Sequence, residues 1–338
     1  NALTKAKTAD QISMFDAKTM AAKLNARIMT HTVVAAIEPQ TKKICLSDGA
    51  KLDYSQLVLA VGAKPIRIPI DGDAADEVLS VNNLADYALF RDKLIGAERV
   101  AIIGPGLIGC EFANDLINVG MAVSVIGPSL LPMDALLPDP VAEGLKTTLA
   151  NAGVDWHFEA STQSINYSDS GYEIKLTNGD KLHADVVISA VGLRANIGLA
   201  EAAGLNINRG IVTDETLQTS QPDVYALGDC AEVSGHNLLY IAPIMAGAKA
   251  LAKTLSGELT PVKYPAMPVA VKTPSYPLVT APPARGSIGE WEFENAESGF
   301  GIKALFMGSN SDLLGFVLSG DTISEKSALT KQLPDLLG

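Results

Sequence analysis

The hydrophobic pattern of residues 99–126 predicts a strand, a turn, a helix and a second strand. Mostly apolar runs at 99–103 and 122–126 flank a glycine turn and a segment with apolar positions at helical spacing. Continuous apolar strands are typical of a parallel sheet covered on both faces. We therefore predict a βαβ unit in a doubly wound α/β domain, with further helical stretches near 9–24 and 83–95.

A second pattern occurs twice along the chain. Strand-like residues flank Asn178-Gly179, a strong hairpin signal, and an apolar strand follows that ends at Gly192. Residues 44–62 repeat residues 174–192, with identities at Ile44, Leu46, Gly49, Lys51, Leu52, Ala60, Val61 and Gly62. This repeat indicates a duplicated domain. At the same offset, the first counterpart of the glycine turn would precede Asn1, so we expect a strand, turn and helix of the first copy before this sequence.

These patterns divide the chain into three predicted domains. Residues 1–95 with 213–260 form a first nucleotide-binding domain, and residues 96–212 form a second. From Pro261 the sequence changes to proline-rich short strands, so residues 261–338 form a smaller domain. The predicted fold class is α/β, with two doubly wound, Rossmann-like three-layer domains and a small C-terminal α+β domain.

Composition and charge exclude several classes of function. The net charge of −12 disfavours nucleic acid as a partner, since neutralising phosphates requires a basic surface. No apolar run approaches the roughly 18 residues of a membrane span, and no signal peptide is evident, so we expect a cytoplasmic protein without membrane contact. The histidines lack metal-ligand spacing, and we expect no metal site.

The glycine turn is the first chemical candidate. In Gly104-x-Gly106-x-x-Gly109, glycines allow a tight turn and let main-chain N–H groups approach a pyrophosphate. A structural glycine turn is the alternative, but the flanking strand and helix favour dinucleotide binding. The predicted contacts are Gly104, Gly106, Leu107, Ile108 and Gly109.

The second strand of this unit lacks the usual acidic residue for a ribose hydroxyl, because Gly127 stands there. No Arg or Lys lies between Met121 and Val141, so a 2′-phosphate finds no cation either. NAD is favoured over NADP by default. We also expect that Asp or Glu at position 127 would not weaken NADH binding, since the new carboxylate could accept the ribose 2′-hydroxyl.

Three strand ends carry further candidates. Ala60-Val61-Gly62 and Ala190-Val191-Gly192 bring small residues to the carboxyl ends of strands, where nucleotides bind in open α/β sheets. Gly228-Asp229 follows another apolar strand, and its carboxylate can accept hydrogen bonds from sugar-like hydroxyls. Ordinary turns are the alternative interpretation of all three.

In this order, the fingerprint, the paired strand ends and the segment 219–229 resemble the FAD-dependent pyridine nucleotide–disulfide oxidoreductase superfamily over nearly the whole chain. Within it, 271–274 and 277–279 are similar to bacterial NADH:rubredoxin reductases of alkane-oxidising organisms. The resemblance implies FAD in the first nucleotide-binding domain and NAD in the second.

The resemblance also implies roles for individual residues. Asp229 with Gly228 would hold the FAD ribityl chain, and the helix containing Pro243 would point its positive end at the flavin. Glu111 would lie near the nicotinamide and Lys272 beside the flavin as the two catalytic candidates. Alternatively, Glu111 is an acid in the first turn of the helix that interacts with the helix dipole, and Lys272 is an ordinary solvated lysine. The remaining implied cofactor contacts are Thr32, Val33, Val34, Ala60, Gly62 and Gly192.

The cysteines indicate the subclass. Cys45, Cys110 and Cys230 are too far apart in sequence for a closely spaced redox pair. Electrons would then leave the flavin directly as single electrons, with rubredoxin as the implied acceptor. The alternatives are a ferredoxin, flavorubredoxin or oxygen as acceptor, a non-catalytic flavin- or NAD-binding interaction protein, and a chain that binds NAD alone.

Rubredoxins are acidic as a family, so docking on an acidic chain requires a local basic patch. Within residues 1–30, five cations face only Asp10 and Asp16. We predict that they steer rubredoxin, and an ordinary solvated helix face is the alternative. These cations are Lys5, Lys7, Lys18, Lys23 and Arg27.

Overall fold

The structure is a computed structural model and describes residues 2–338. No helix in this range is long and apolar enough to cross a bilayer. The α-helices are α1 (Ala9–Ile12), α2 (Ala17–Leu24), α3 (Leu84–Lys93), α4 (Leu107–Ile117), α5 (Asp139–Asn151), α6 (Gly198–Ala202), α7 (Ile241–Leu255) and α8 (Lys326–Thr330).

The strands are short except in the C-terminal region. They are β1 (Val34–Glu38), β2 (Lys43–Leu46), β3 (Lys51–Asp53), β4 (Leu57–Leu59), β5 (Ala63–Pro65), β6 (Arg99–Ile103), β7 (Ala122–Ile126), β8 (Val154–His157), β9 (Thr162–Tyr167), β10 (Tyr172–Leu176), β11 (Lys181–Ala184), β12 (Val186–Ser189), β13 (Leu193–Ala195), β14 (Ile211–Thr213), β15 (Val224–Ala226), β16 (Ala231–Val233), β17 (Val269–Val271), β18 (Leu278–Ala281), β19 (Gly289–Asn295), β20 (Ile302–Gly308) and β21 (Leu313–Ser319).

The chain packs as two compact units. The first comprises the described residues through Ser13, Pro65–Gly192 and Pro268–Pro334, and the second comprises Met14–Lys64, Leu193–Met267 and Asp335–Gly338. The predicted boundaries at 95, 212 and 260 separate domains by cofactor, whereas these units are defined by packing. The division by cofactor therefore stays a prediction.

The first unit contains the predicted βαβ element. Strands β12, β6, β7 and β8 form a parallel sheet in that order, with α4 connecting β6 to β7. Ile102, Leu116 and Val125 are fully buried, and each such side chain contributes roughly 1.5–3 kcal/mol on leaving water. The sheet is parallel as the apolar strands predict, and its carboxyl edge carries the glycine turn.

The sequence repeat corresponds to a repeat of local structure. Strands β10 and β11 pair with Ile174 opposite Leu182, and β2 and β3 pair with Ile44 opposite Leu52. A buried or half-buried strand follows each hairpin, β12 in one copy and β4 in the other. Each copy then ends in a glycine with positive φ, Gly192 or Gly62.

The second unit has a core of its own beneath α7. Strand β15 pairs in parallel with β4, and β14 pairs in parallel with β16. Leu59, Ile211 and Leu251 are buried in this core. The alanine-rich helix α7 ends at Leu255 with Ser256 as its C-cap, and Gly257 follows at φ +101°.

The predicted helical stretch 9–24 is helical at both ends but interrupted in the middle. The stretch 9–24 forms two helices, because Thr8 caps α1 and Asp16 begins a new one by accepting the Thr19 N–H at 2.6 Å. The helix α1 belongs to the first unit, whereas α2 belongs to the second.

The C-terminal region of the first unit is a five-stranded antiparallel sheet in the order β17, β18, β21, β20, β19. Phe316, Val317 and Leu318 of its central strand are fully buried. Leu329 of α8 packs in the same core as Phe316. This arrangement is the small α+β portion that the sequence predicts.

Candidate functional site

The glycine turn follows β6, and each glycine has a different structural reason. Gly104 adopts φ +109°, and a Cβ atom there would lie 2.7 Å from the Ala190 carbonyl oxygen. A Cβ atom on Gly109 would overlap the Gly104 carbonyl oxygen, so this glycine lets α4 pack against the turn. Gly106 faces open space, since a Cβ atom on it would have no neighbouring atom within 4 Å. That open side is where a phosphate can approach the backbone.

The helix α4 begins directly after Gly106, which adopts an extended conformation without a side-chain cap. The N–H groups of Leu107 and Ile108 belong to the first turn, where helical N–H groups have no intrahelical acceptor. They and the positive helix end are available to an anion. The geometry suits the pyrophosphate contacts predicted for this turn.

Glu111 lies in the second turn of α4, so its description as a first-turn acid was wrong. Its Oε1 accepts a hydrogen bond from the main-chain N–H of Lys272 at 2.7 Å. The Lys272 side chain is exposed, while Thr273 beside it is buried. The two predicted catalytic residues therefore lie together, joined through a main-chain group. Their roles at the nicotinamide and flavin stay predictions.

Asn114, which the sequence analysis missed, makes a second link one turn further along α4. Its Oδ1 accepts the Ser275 N–H at 3.1 Å, and its buried Nδ2 has no partner among the described residues. Asp115 follows and accepts the N–H groups of Leu3 and Thr4, both at 3.0 Å. The sequence did contain a signal for these two contacts, since Asn114 and Asp115 are adjacent polar residues on a largely apolar helix.

Gly192 closes the neighbouring strand end of the same unit. Its φ is +109°, and its carbonyl oxygen accepts the Ile66 N–H at 3.0 Å. Two residues earlier, the Ala190 N–H donates to Ile103 at the end of β6 at 2.7 Å. The strand end at Gly192 and the glycine turn at Gly104 are therefore neighbours, as the sheet topology predicts.

Position 127 differs from the expectation. A Cβ atom on Gly127 would overlap the ring of Pro105, the residue between the first two glycines of the turn. This contact contradicts the expectation that Asp or Glu at position 127 would leave NADH binding intact, because a side chain there would displace Pro105 within the turn. The clash explains why this strand end carries no acid.

In the second unit, Asp229 follows Gly228, whose φ of +80° favours glycine. The Oδ1 atom of Asp229 is buried and has no hydrogen-bond partner among the described residues. Burial raises the pKa of this carboxyl above its ordinary value of 3.8. Such an unpartnered acceptor is costly unless a ligand donates to it, so the residue fits a hydroxyl-bearing cofactor such as FAD.

The other predicted FAD contacts also lie in the second unit. Gly62 adopts φ +66° with open space around its Cα, and Ala60 beside it is exposed. Thr32 and Val33 are exposed residues that precede β1, and Val34 is the first residue of that strand.

Helix α7 begins at Ile241, with Pro243 buried in its first turn and without a side-chain cap. These positions are compatible with cofactor binding, and their roles stay predictions.

Residues 2–252 match the family described as pyridine nucleotide-disulphide oxidoreductase, over most of the chain. The chain belongs to this family. Membership confirms the predicted superfamily, the α/β fold class, the oxidoreductase activity and the use of FAD and NAD(H). Residues 261–333 match a second family, described as a rubredoxin binding C-terminal domain.

Two relatives of this pyridine nucleotide-disulphide oxidoreductase are similar over nearly its whole length. The rubredoxin-NAD(+) reductase of Alcanivorax borkumensis is 47% identical, with 99% of this chain and 87% of the relative covered. That of Acinetobacter baylyi is 45% identical, with 100% and 87% covered. A crystal structure of a covalent putidaredoxin reductase–putidaredoxin complex superposes with a TM-score of 0.86 at 25% identity, covering 98% and 84%.

Proposed function

We propose that this protein takes hydride from NADH onto FAD and passes single electrons to rubredoxin. The match of residues 261–333 to a rubredoxin-binding domain carries the proposal. The names of the two relatives support it.

FAD supplies the conversion between two-electron and one-electron chemistry when it is bound. In the second unit, the unpartnered Oδ1 of Asp229 would accept a hydrogen bond from a cofactor hydroxyl. Gly62 and Gly228 would let the cofactor approach the main chain closely. The uncapped N-terminus of α7 would favour negative charge on the group in front of it.

In the first unit, Gly106 and the N–H groups after it would bind the pyrophosphate of NADH. Glu111 holds the main chain of Lys272 and so fixes where the Lys272 side chain begins. We infer that Lys272 supplies positive charge at the flavin and that Glu111 orients it while facing the nicotinamide.

The thiols support direct departure of electrons from the flavin. Burial raises the pKa of the Cys110 thiol to about 12 and also raises that of Cys230. All three cysteines are free. Because the thiolate is the reactive form, buried thiols of this kind are poor redox relays.

A triple variant tests this route: Cys45→Ser, Cys110→Ala and Cys230→Ala. The proposal predicts NADH-dependent rubredoxin reduction close to the wild-type rate, with FAD content and circular dichroism as controls for folding. Loss of rubredoxin reduction in a folded, FAD-loaded variant that NADH still reduces would show that a thiol carries the electrons.

Ferredoxin reduction is the second candidate, because a putidaredoxin reductase superposes on this chain. Rubredoxin is favoured over it by the C-terminal match. A panel of electron acceptors distinguishes rubredoxin from flavorubredoxin, from oxygen and from a non-catalytic binding role.

We further propose that the protein works in the cytoplasm and supplies electrons for alkane oxidation. Three free cysteines are compatible with a reducing compartment. The resemblance of residues 271–274 and 277–279 to reductases of alkane-oxidising bacteria supports the metabolic role. Growth on alkanes after deletion of the gene tests it, with growth on a fatty acid as the control.

A further inference from the structure

The first unit must recognise the adenosine ribose of its nucleotide without an acid at the end of β7. Position 127 cannot carry one, because the ring of Pro105 occupies the space of its side chain. A carboxylate that selects a ribose hydroxyl must therefore come from another element at the same sheet edge, provided that the proposed use of NADH holds.

The strands β7 and β8 end side by side, with Ile126 opposite His157, and three main-chain hydrogen bonds join the segments that follow them. The Gly127 N–H donates to His157 at 3.0 Å, and the Ala160 N–H donates to Gly127 at 3.2 Å. Between them, the Glu159 N–H donates to Ser129 at 3.1 Å. These bonds place the main chain of Glu159 beside residues 127–129, next to the position where the acid of this motif usually stands.

Glu159 is also the acid on this segment that remains available. It is exposed, and it forms no ion pair within residues 2–338. Asp155 on the same strand is bonded to His157 at 2.9 Å. The nearby Lys146 amine lies 3.3 Å from Glu143 and over the ring of Phe158, 5.6 Å from its centroid.

The backbone of Glu159 is unusual for its residue type. Its φ is +54°, in the left-handed region that glycine and asparagine adopt more readily than glutamate. Non-glycine residues in such conformations often occur at ligand-binding sites, where the surrounding structure holds them. Here the hydrogen bonds to Gly127 and Ser129 hold the segment against the end of β7.

We propose that Glu159 is the residue that selects NADH over NADPH. Its carboxylate accepts a hydrogen bond from the 2′-hydroxyl of the adenosine ribose. It repels the 2′-phosphate of NADPH, since like charges that must lie close together disfavour binding. The acid that selects the nucleotide thus lies on the segment after β8 and not at the end of β7.

Calorimetric titration of the whole chain with NAD⁺ and with NADP⁺ tests this directly, without flavin turnover or rubredoxin. A hydrogen bond to a charged group corresponds to about a ten- to hundredfold change in affinity. Glu159→Gln should therefore lower the ratio of NAD⁺ to NADP⁺ affinity by about that factor. Glu159→Asn should do the same while suiting the left-handed backbone, and Glu159→Lys should reverse the preference.

Two exposed acids provide matched controls. Asp155→Asn removes a charge from β8, the strand that precedes Glu159. Asp134→Asn removes an exposed carboxylate on another segment near the turn, next to Met133, whose N–H donates to Pro105 at 2.9 Å. Both should keep the wild-type affinity ratio. An unchanged ratio in Glu159→Asn, or a ratio that falls in Asp134→Asn instead, would overturn the proposal. Failure of rubredoxin reduction alone would leave this ratio unaffected and would count only against the proposed acceptor.

Discussion

The carboxylate of Glu111 holds the main-chain N–H of Lys272 at 2.7 Å, although the two residues are 161 positions apart. This bond ties the helix after the glycine turn to the segment between β17 and β18. Both residues are candidates for the reaction. Because both lie in the first unit, the fold of that unit fixes their relative positions. A carboxylate that already accepts one donor keeps a second oxygen for another group.

Replacing Glu111 with alanine should release the Lys272 amide. We expect this amide to exchange with deuterium about tenfold faster or more, which corresponds to the roughly 1.5–3 kcal/mol of a hydrogen bond to a charged group. Glu111→Gln keeps an acceptor oxygen and should retain most of the protection. Hydrogen exchange measured by mass spectrometry or NMR checks this. Equal protection in wild type and Glu111→Ala would mean that the bond does not hold the segment.

The open side of Gly106 makes a prediction for NADH binding. Gly106→Leu should raise the NADH Kd by about tenfold or more, about 1.4 kcal/mol, because the side chain fills the space in front of the phosphate-binding N–H groups. Bound FAD should remain. Gly198→Leu is a matched control, since Gly198 also faces open space with an ordinary φ but begins α6 in the second unit.

Fluorescence titration with NADH and the flavin absorbance measure both nucleotides in one sample. Parallel loss of FAD and NADH from the Gly106 variant would show that the two nucleotide sites were assigned incorrectly.

The glycine turn and the hairpin could be predicted from the sequence because residues close together in the chain determine them. The apolar strand, the turn and the helix of residues 99–126 are neighbours in sequence, and so are the two sides of the hairpin at Asn178-Gly179. The break between α1 and α2 also had local signals, in the capping residues Thr8 and Asp16, which the apolar periodicity concealed.

Other features depend on contacts between distant residues and could not be predicted. The overlap between Pro105 and position 127 appears only when β6 and β7 lie side by side. The bonds from Asn114 to Ser275 and from Asp115 to Leu3 join segments more than a hundred positions apart. A pattern of hydrophobic positions contains no information about which distant main-chain group will meet a buried amide or carboxylate.

Asp229 predicts a dependence on pH. Burial raises the pKa of its carboxyl in the folded protein, so the folded state binds the proton more tightly than the unfolded state does. Its contribution to stability is fully present below the ordinary pKa of 3.8 and is lost as the pH rises through the folded pKa. In FAD-free protein, Asp229→Asn should therefore gain stability relative to wild type as the pH rises from acid to neutral.

The same Asp229→Asn variant should bind FAD more weakly, because an amide is a weaker acceptor than a carboxylate. Thermal unfolding at several pH values and FAD titration measure the two effects. Glu215→Gln, an exposed change in the same unit, should alter neither. Wild-type FAD affinity in Asp229→Asn would remove this residue from the predicted FAD site.

The basic residues near the N-terminus predict the salt dependence of rubredoxin reduction. Lys5 and Lys7 lie in the first unit, whereas Lys18 and Lys23 lie in the second, and all four are exposed. Replacing each pair with Gln should lower kcat/KM for rubredoxin at low salt, since charges act over roughly 8–10 Å at ordinary salt. Reduction of the flavin by NADH should be unchanged.

Replacing the pairs separately shows which unit steers the partner. The quadruple variant should have a flatter dependence of kcat/KM on ionic strength than wild type. Lys181→Gln with Lys253→Gln, which also removes two positive charges, controls for the net charge of each pair variant. If the quadruple variant keeps the wild-type salt dependence, these lysines do not form the docking site for rubredoxin.

Anaerobic rapid mixing of the NADH-reduced, FAD-loaded protein with one electron acceptor at a time identifies the acceptor most directly. Flavin absorbance is followed with rubredoxin, a [2Fe–2S] ferredoxin, flavorubredoxin and, separately, oxygen. If rubredoxin is the acceptor, it should reoxidise the flavin about tenfold faster or more than each of the others, about 1.4 kcal/mol in activation free energy. Faster reoxidation by another acceptor, or a flavin that stays reduced with rubredoxin, would contradict the proposal.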